Sequence, residues 1–534
     1  MSVELRYPGH RPFQRADSGR FYGRDEEAAA LAAAWRSNRL TFVSGPAGVG
    51  KSSLLAAGVL PLVNRSNVEL LPIGGFSQGS SSPIAPPGPH TPYTLALLRS
   101  WSPLGAGLTL DPFTVDEFAA SRIRQLDPSK ALLVAIDQAD DLFAGPPSRQ
   151  PQRMRFLREL ADAVEQQPAL RLLICLRDEA LHRFADVLAH PAALIEVRAL
   201  EPDRAREAVT GPGCFEPEAA SELIAALRTS RIVTTDGSER HVVADRVEPV
   251  LIQSVCARLW ELMRRRTSMI TARELRRYGD IEDALARYCG VAITAAALAH
   301  GIQVPWLRFW LISTFVATAG GRLDAAEGAV STAGLPTTVA RALEDGHLLR
   351  ARAEPPGGAA TAPAASRVYQ LISDRIIEPL RHTPDDLSPD GDSAGYLLAA
   401  ERALTVGELS LAARYAELAR VAASETDLML HGSARSLLGN IAREERELAR
   451  AETHYREALG LFTAAMEHSM VALLLVAIGR ILIERGDLLA GINELHAAVQ
   501  RMPSDATIQT ELSAAVRELG WRLPGQNGPR VSPG

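Results

Sequence analysis

The sequence predicts an α/β fold on a parallel sheet, followed by helical and winged-helix subdomains and an all-α repeat solenoid. Three observations carry this. A short apolar strand, Leu40–Ser44, runs into a glycine-rich loop and then a helical pattern. Two further continuous apolar runs, Ala131–Ile136 and Leu170–Leu176, suit strands buried on both faces. Strand signals then fade from about Glu201, and an internal period of 39–40 residues sets in from Ala400. A chain of 534 residues implies three or four domains at about 150 residues each.

Taken in order, the polar segment Tyr7–Phe13 precedes an Ala-rich helix from about Asp25 to Ser37. After the glycine loop, helical spacing runs from Ser52 to Leu60 and stops at Pro61, and Val68–Ile73 is a second strand. The Ser/Pro/Gly-rich stretch Ser77–Pro92 is a surface loop. Farther on, Val339–Gly346 is expected to be a helix, with strands His347–Ala353 and Arg367–Leu371 flanking the wing loop Glu354–Ser366. Thr383–Asp392, rich in Pro, Asp and Ser, is a linker. Domains are expected at 1–200 (the α/β domain with the glycine loop), 201–300 (helical), 301–382 (winged helix), 383–394 (linker), 395–520 (repeats) and 521–534 (disordered tail).

The repeat rests on small residues. Ala400, Gly439 and Gly479 head three units, followed by Ala412, Ala451 and Gly491, then by Ala419, Ala458 and Ala498. Gly407 matches Gly486, and Glu408, Glu447 and Asp487 follow the turns. Small residues at these points let two antiparallel helices approach closely, with Tyr455 and Leu495 filling the gaps. The pattern resembles tetratricopeptide repeats with a longer period.

Composition narrows the function. The chain is 46% hydrophobic and 22% charged with a net charge of −6. Its mean hydropathy is −0.01 and its pI about 6.1. That balance disfavours a nucleic-acid binder across the whole surface, because phosphate affinity needs clustered cations. Cys175, Cys214, Cys256 and Cys289 form no C-x-x-C pair, which fits a reducing compartment and no zinc ribbon. The N-terminal residues lack a signal-peptide pattern. The apolar run Val304–Gly320 carries Arg308 and is too short to span a bilayer. A cytoplasmic protein is expected.

Chemistry concentrates in Gly45-Pro-Ala-Gly48-Val-Gly50-Lys51-Ser52, followed by Ser53. This is the phosphate loop G-x-x-x-x-G-K-[ST], in which backbone N–H groups cradle a β-phosphate. Lys51 supplies a point charge, Ser52 a magnesium ligand, and the following helix its positive N-terminus. It is one of only two lysines, with Lys130, among 57 basic residues. A P-loop NTPase also needs an acid at a strand end. Asp137 supplies it and should hold magnesium, while Asp140 or Asp141 could orient the attacking water. Arg177 ends the next buried strand, where a guanidinium can meet a γ-phosphate.

From Tyr7 to about His382 the chain resembles the novel STAND-type NTPases, signal-transducing ATPases related to the NACHT and apoptotic-ATPase groups. The matches are Tyr7–Phe13, Phe21-Tyr-Gly-Arg24-Asp-Glu-Glu27, Gly45–Ser53 with Ala57–Pro61, and Asp137–Phe143. Cys175–Arg177, Ala208–Pro212, Glu248–Gln253 and Tyr369–Pro379 complete them. The resemblance implies that Arg24 lies near the nucleotide, that Pro249 packs against adenine, and that the helical and winged-helix segments close over ADP. It also implies a winged-helix histidine on the ADP phosphate, a position that here corresponds to Ser373. Asp141 stands where relatives commonly have Glu, so slow hydrolysis is expected.

The function expected is an ATP/ADP- and Mg²⁺-dependent signalling switch of bacterial signalling or defence. A partner or ligand binds the repeats, ATP replaces ADP, and the chain opens and self-associates. No protease, nuclease, TIR or helix-turn-helix module is recognisable, so the effector or sensor protein is expected to act in trans. The alternatives are a nucleotide-stabilised repeat adaptor, a transcriptional co-regulator without its own DNA-binding domain, and a ring-forming motor.

Overall fold

A computed structural model of the chain describes residues 6–9, 11–63, 67–76, 91–102, 114–143, 149–233, 239–317, 321–328, 330–353, 367–382, 393–407, 409–502, 509, 512–513 and 515–516. Residues 77–90 of the expected surface loop, the wing loop 354–366, linker residues 383–392, Glu408 and the tail 521–534 lie outside them. The chain divides into two compact units. One comprises 1–73, 119–140 and 160–390, the other 74–118, 141–159 and 391–534. The sequence places segments 74–118 and 141–159 in the first domain, yet they cluster with the repeats.

The first unit is built on a five-stranded sheet of β1 (Leu40–Ser44), β2 (Val68–Gly74), β3 (Ala131–Ile136), β4 (Leu170–Cys175) and β5 (Ala192–Glu196), in the order β2-β3-β4-β1-β5. The pairs β1–β4, β1–β5 and β3–β4 are parallel, with Phe42 opposite both Ile174 and Leu194. Continuous apolar sequence yields continuously buried strands here: all five residues of β1 are buried. Strand β5 alternates exposed and half-buried positions instead, and its apolar run Ala192–Ile195 is only four residues long. Helix Asp25–Ser37 is pinned to the sheet by Trp35, whose indole N–H donates to the Arg171 carbonyl at 3.0 Å. Leu31, Trp35, Leu54, Leu55, Leu133 and Leu173 form the core around it.

Beyond β5 the same unit becomes helical. Helices Pro202–Thr210, Pro217–Arg228 and Pro249–Met263 each start on proline, whose fixed φ suits the first helical position. Together with Ile281–His300 and Val304–Phe315 they enclose a core that includes Leu223, Leu251, Leu285 and Leu311. Tyr7 is buried in that core and donates to the Val209 carbonyl at 2.6 Å, anchoring the N-terminal segment. An antiparallel hairpin, Thr229–Val233 with Glu239–Val243, interrupts the helices where the sequence reading expects no strands. Helix Thr337–Asp345 and the antiparallel strands Leu349–Ala353 and Arg367–Leu371 lie within two residues of where the sequence places them, the strand starting after His347 rather than at it. Among the described residues no single helix is long and apolar enough to cross a membrane.

The second unit holds three helical hairpins: Ser393–Val406 with Leu409–Ala422, Leu428–Glu444 with Leu448–Ala464, and His468–Glu484 with Leu488–Arg501. The small residues sit where the helices touch. A Cβ on Gly439 would lie 2.4 Å from the Tyr455 ring, and one on Gly491 2.6 Å from the Gly479 carbonyl. Tyr455 fills the gap and donates from its hydroxyl to Asn440 Oδ1 at 2.7 Å. In the same unit, helix Pro92–Trp101 contributes Tyr93 to an edge-to-face cluster with Phe76 and Phe156.

Candidate functional site

The loop between β1 and the next helix has the backbone its glycines imply. Gly45, Gly48 and Gly50 all have positive φ, at +156°, +73° and +96°. At Gly45 a Cβ would lie 2.3 Å from the Val197 carbonyl, so the close approach of the loop to the end of β5 admits no side chain. The Lys51 ammonium is wrapped by its own loop and donates to the carbonyls of Gly45 (2.5 Å) and Pro46 (2.9 Å). Burial pushes it below the ordinary lysine value, against the opposing field of Asp140.

Two groups brace this loop. Arg24 is 3% exposed. Its Nη2 donates to the carbonyls of Val49 (2.9 Å) and Arg198 (2.7 Å), and its Nη1 pairs with Glu27. It therefore ties the crest of the loop to the end of the sheet. Ser53 accepts a hydrogen bond from the Phe13 N–H at 3.1 Å, which seats the N-terminal segment on the loop helix. That segment is held by Asp17, a buried carboxylate between Arg11 (2.6 Å) and Arg20 (2.7 Å) that also accepts from the Gln14 N–H.

The ends of β3 and β4 supply the charged wall. Asp137 is half-buried and bonded to the Ser52 hydroxyl; burial raises its carboxyl above the ordinary value, and the Ser52 bond opposes the shift. Asp140 accepts from the Arg177 N–H at 3.1 Å and pairs with Arg177 Nε at 3.0 Å. Asp141 is buried and belongs to the second compact unit. Arg177 thus touches Asp140 and two acids absent from the sequence reading: Glu344 at 2.7 Å and Asp345 at 2.6 Å. Burial works against its charge, but Glu344, Asp140 and Asp345 outweigh it and hold the guanidinium well above its ordinary value. Glu344, 1% exposed, is shared with Arg367 at 2.8 Å, which also meets Glu179 at 2.9 Å.

A cavity of about 650 Å³ opens beside the loop, lined by Gly45 and Pro46, Glu196–Ala199, Glu248 and Leu251. Ser373 lies on its wall and caps the turn Asp374–Ile376 by accepting from the Arg375 N–H. Pro249 starts the helix that contributes Leu251. The residue that reaches the loop crest, however, is His347: a Cβ on Gly48 would meet its ring carbon at 3.3 Å.

His347 follows helix Thr337–Asp345 with φ +57°. Its N–H bonds to the Glu344 carbonyl and the Leu348 N–H to that of Leu343, the paired bonds of a helix end that usually uses glycine at this left-handed position. Tyr288 holds it by donating to the His347 carbonyl at 2.6 Å. The sequence reading takes His347 as the first residue of a strand. A non-glycine residue straight after Gly346 gives no local hint of a left-handed turn.

Fold and loop together define a phosphate-loop NTPase. The chain belongs to the novel STAND NTPase 1 family, whose model matches residues 7–344. Comparison with curated proteins finds no match. Among solved structures it is similar to a Walker-type ATPase of Pyrococcus abyssi, at 16% identity over 70% of this chain and 98% of that one, with a TM-score of 0.37. It is also similar to the ORC2 protein of Aeropyrum pernix (12%, 67% and 93%, TM-score 0.34). A third is a STAND protein with a tetratricopeptide repeat sensor from Pyrococcus horikoshii (11%, 97% and 82%, TM-score 0.25).

Proposed function

We propose that the chain is a cytoplasmic, adenine-nucleotide-dependent signalling switch whose ADP-bound form is closed and whose ATP-bound form opens and self-associates. The observation that carries this reading is the loop itself: left-handed glycines, a wrapped Lys51, and Ser52 bonded to Asp137. Backbone N–H groups and Lys51 would bind the β-phosphate, and the cavity beside Gly45 would take the nucleoside. Ser52 and Asp137 fit a magnesium ion, a hydroxyl and a carboxylate already in contact, and the ion would neutralise phosphate charge when bound. Arg177, at the adjacent strand end, would meet the γ-phosphate. The helix–hairpin segment 337–371, read as a winged helix, supports a closing role because His347 reaches the loop. Slow hydrolysis, with Asp140 orienting water, would reset the switch.

The repeats would receive the trigger, a partner protein acting in trans, and defence or stress signalling is the setting this fits. Light scattering of the full chain with ADP and then with a non-hydrolysable ATP analogue tests the reading: a rise in mass with the analogue alone is expected. Lys51→Ala should abolish binding of both nucleotides while leaving the circular dichroism spectrum unchanged. Nucleotide binding without any change of mass would leave an adaptor stabilised by nucleotide. Undiminished binding by Lys51→Ala would remove the site.

A further inference from the structure

Arg177 is the group that would recognise a terminal phosphate, yet here it is fully engaged by carboxylates. Its backbone N–H and Nε face Asp140, its Nη1 meets Glu344 at 2.7 Å and its Nη2 meets Asp345 at 2.6 Å. Asp140 is a near neighbour in the sheet domain. Glu344 and Asp345 come from the C-terminal turn of helix Thr337–Asp345, 168 positions along the chain in the case of Asp345. A guanidinium holding two acid groups through its two outer nitrogens presents the pattern it would offer to two oxygens of a phosphoryl group.

We infer that Glu344 and Asp345 act as an internal stand-in for the terminal phosphate, occupying Arg177 in the closed chain and determining that ATP, but not ADP, displaces them. The inference rests on the reading of Arg177 as the γ-phosphate ligand.

Two features make the exchange physically reasonable. A buried carboxylate stripped of its only cation is costly, but Glu344 keeps Arg367, which it already binds at 2.8 Å. Arg367 in turn is held by Glu179 and Glu327 and stays in place. Asp345, with a side chain 41% exposed, passes to water. Arg177 is equally covered, because Asp140 remains on its Nε. The exchange therefore leaves no charge stranded.

Discrimination follows from charge. The β-phosphate lies against the loop and Lys51, and ADP places nothing at Arg177. ATP brings a further dianionic group to a guanidinium already facing two acids, so binding requires the acids to leave. The same four-residue corner carries His347, which rests on Gly48, so displacing Glu344 and Asp345 also lifts the segment from the loop. Terminal-phosphate recognition and release of the helix thus become one event, with a coupling free energy that acts in both directions.

The test is equilibrium titration of the full chain with ADP and with a non-hydrolysable ATP analogue. Asp345→Asn removes one charge at a half-exposed position, where folding is not at risk; Glu344→Gln removes the other while keeping the shape. Each should tighten the analogue by about fivefold or more, the lower range of measured couplings, with ADP changed less than about twofold. Arg177→Gln should erase the difference between the two nucleotides. Adding Asp345→Asn to Arg177→Gln should then bring no further gain, because the pair acts through that arginine.

Equal tightening of both nucleotides, an unchanged preference, or a gain that survives in the Arg177→Gln background would each overturn the inference while leaving the switch reading intact. Failure of the unaltered chain to bind either nucleotide would overturn both.

Discussion

A single carboxylate shows how a charge far from the phosphate loop shapes it. Asp17 is 4% exposed, yet it remains charged because Arg11, Arg20 and the Gln14 N–H surround it. The hydrogen bond from Arg11 is the largest cause, and it holds the carboxyl below its ordinary value of 3.8. A depressed folded-state pKa contributes stability above the ordinary aspartate value, and that stability is lost as pH falls through the lower, folded value. Asp17→Asn should cost about 1–3 kcal/mol at neutral pH, the cost of leaving hydrogen-bonded partners unmatched. The difference from the unaltered chain should shrink in acid. Urea unfolding across that range measures it, and a pH-independent difference would mean that Asp17 acts by packing alone. The sequence marks the position of Lys51 by the G-x-x-x-x-G-K-[ST] spacing, and those of Asp137 and Arg177 by the ends of apolar strands, Asp137 directly after β3 and Arg177 two residues after β4. Glu344 and Asp345 carry no such mark, since no local pattern links them to an arginine so distant along the chain.

At the scale of elements, legibility followed burial. The sequence marks β1 and β3 to the residue because both faces are covered and the apolar runs are continuous. Strand β5, which alternates exposed and half-buried positions, gives no comparable signal. The hairpin Thr229–Val233 with Glu239–Val243 departs from the expected helices, and Asp236-Gly237 between the two strands is its local sequence signal. The repeats were legible because helix contact demands small residues at a fixed interval. Gly439 is the sharpest case, with the Tyr455 ring 2.4 Å from where a Cβ would stand. Tyr455 is fully buried and bonded to Asn440, so it has little room to retreat. Gly439→Ala should therefore destabilise the central hairpin by about 1–3 kcal/mol, the usual cost of overpacking. A lowered midpoint in denaturant titration followed by far-ultraviolet circular dichroism is the expected result, whereas an unchanged midpoint would mean that the two helices separate freely.

For the whole molecule, the decisive fact is that the second unit is discontinuous in sequence. It gathers residues 74–118 and 141–159 with the repeats, although both segments depart from and return to the strands of the first unit. Helix Pro92–Trp101 belongs to it, joined by Thr94 donating to Glu159 at 2.8 Å and by the ring cluster of Phe76, Tyr93 and Phe156. Arg149 likewise meets Glu444, on the central repeat, at 3.2 Å. Segments gathered in one compact unit are expected to open together, so their amides should exchange as one group. Hydrogen exchange on the Gly439→Ala chain tests this. Protection should fall together in residues 92–101, 150–159 and the helices Leu428–Glu444 and Leu448–Ala464. The strands 40–44, 131–136 and 170–175, which have their own core, should keep theirs. If 92–101 instead stayed protected alongside those strands, the repeats would be an independent appendage.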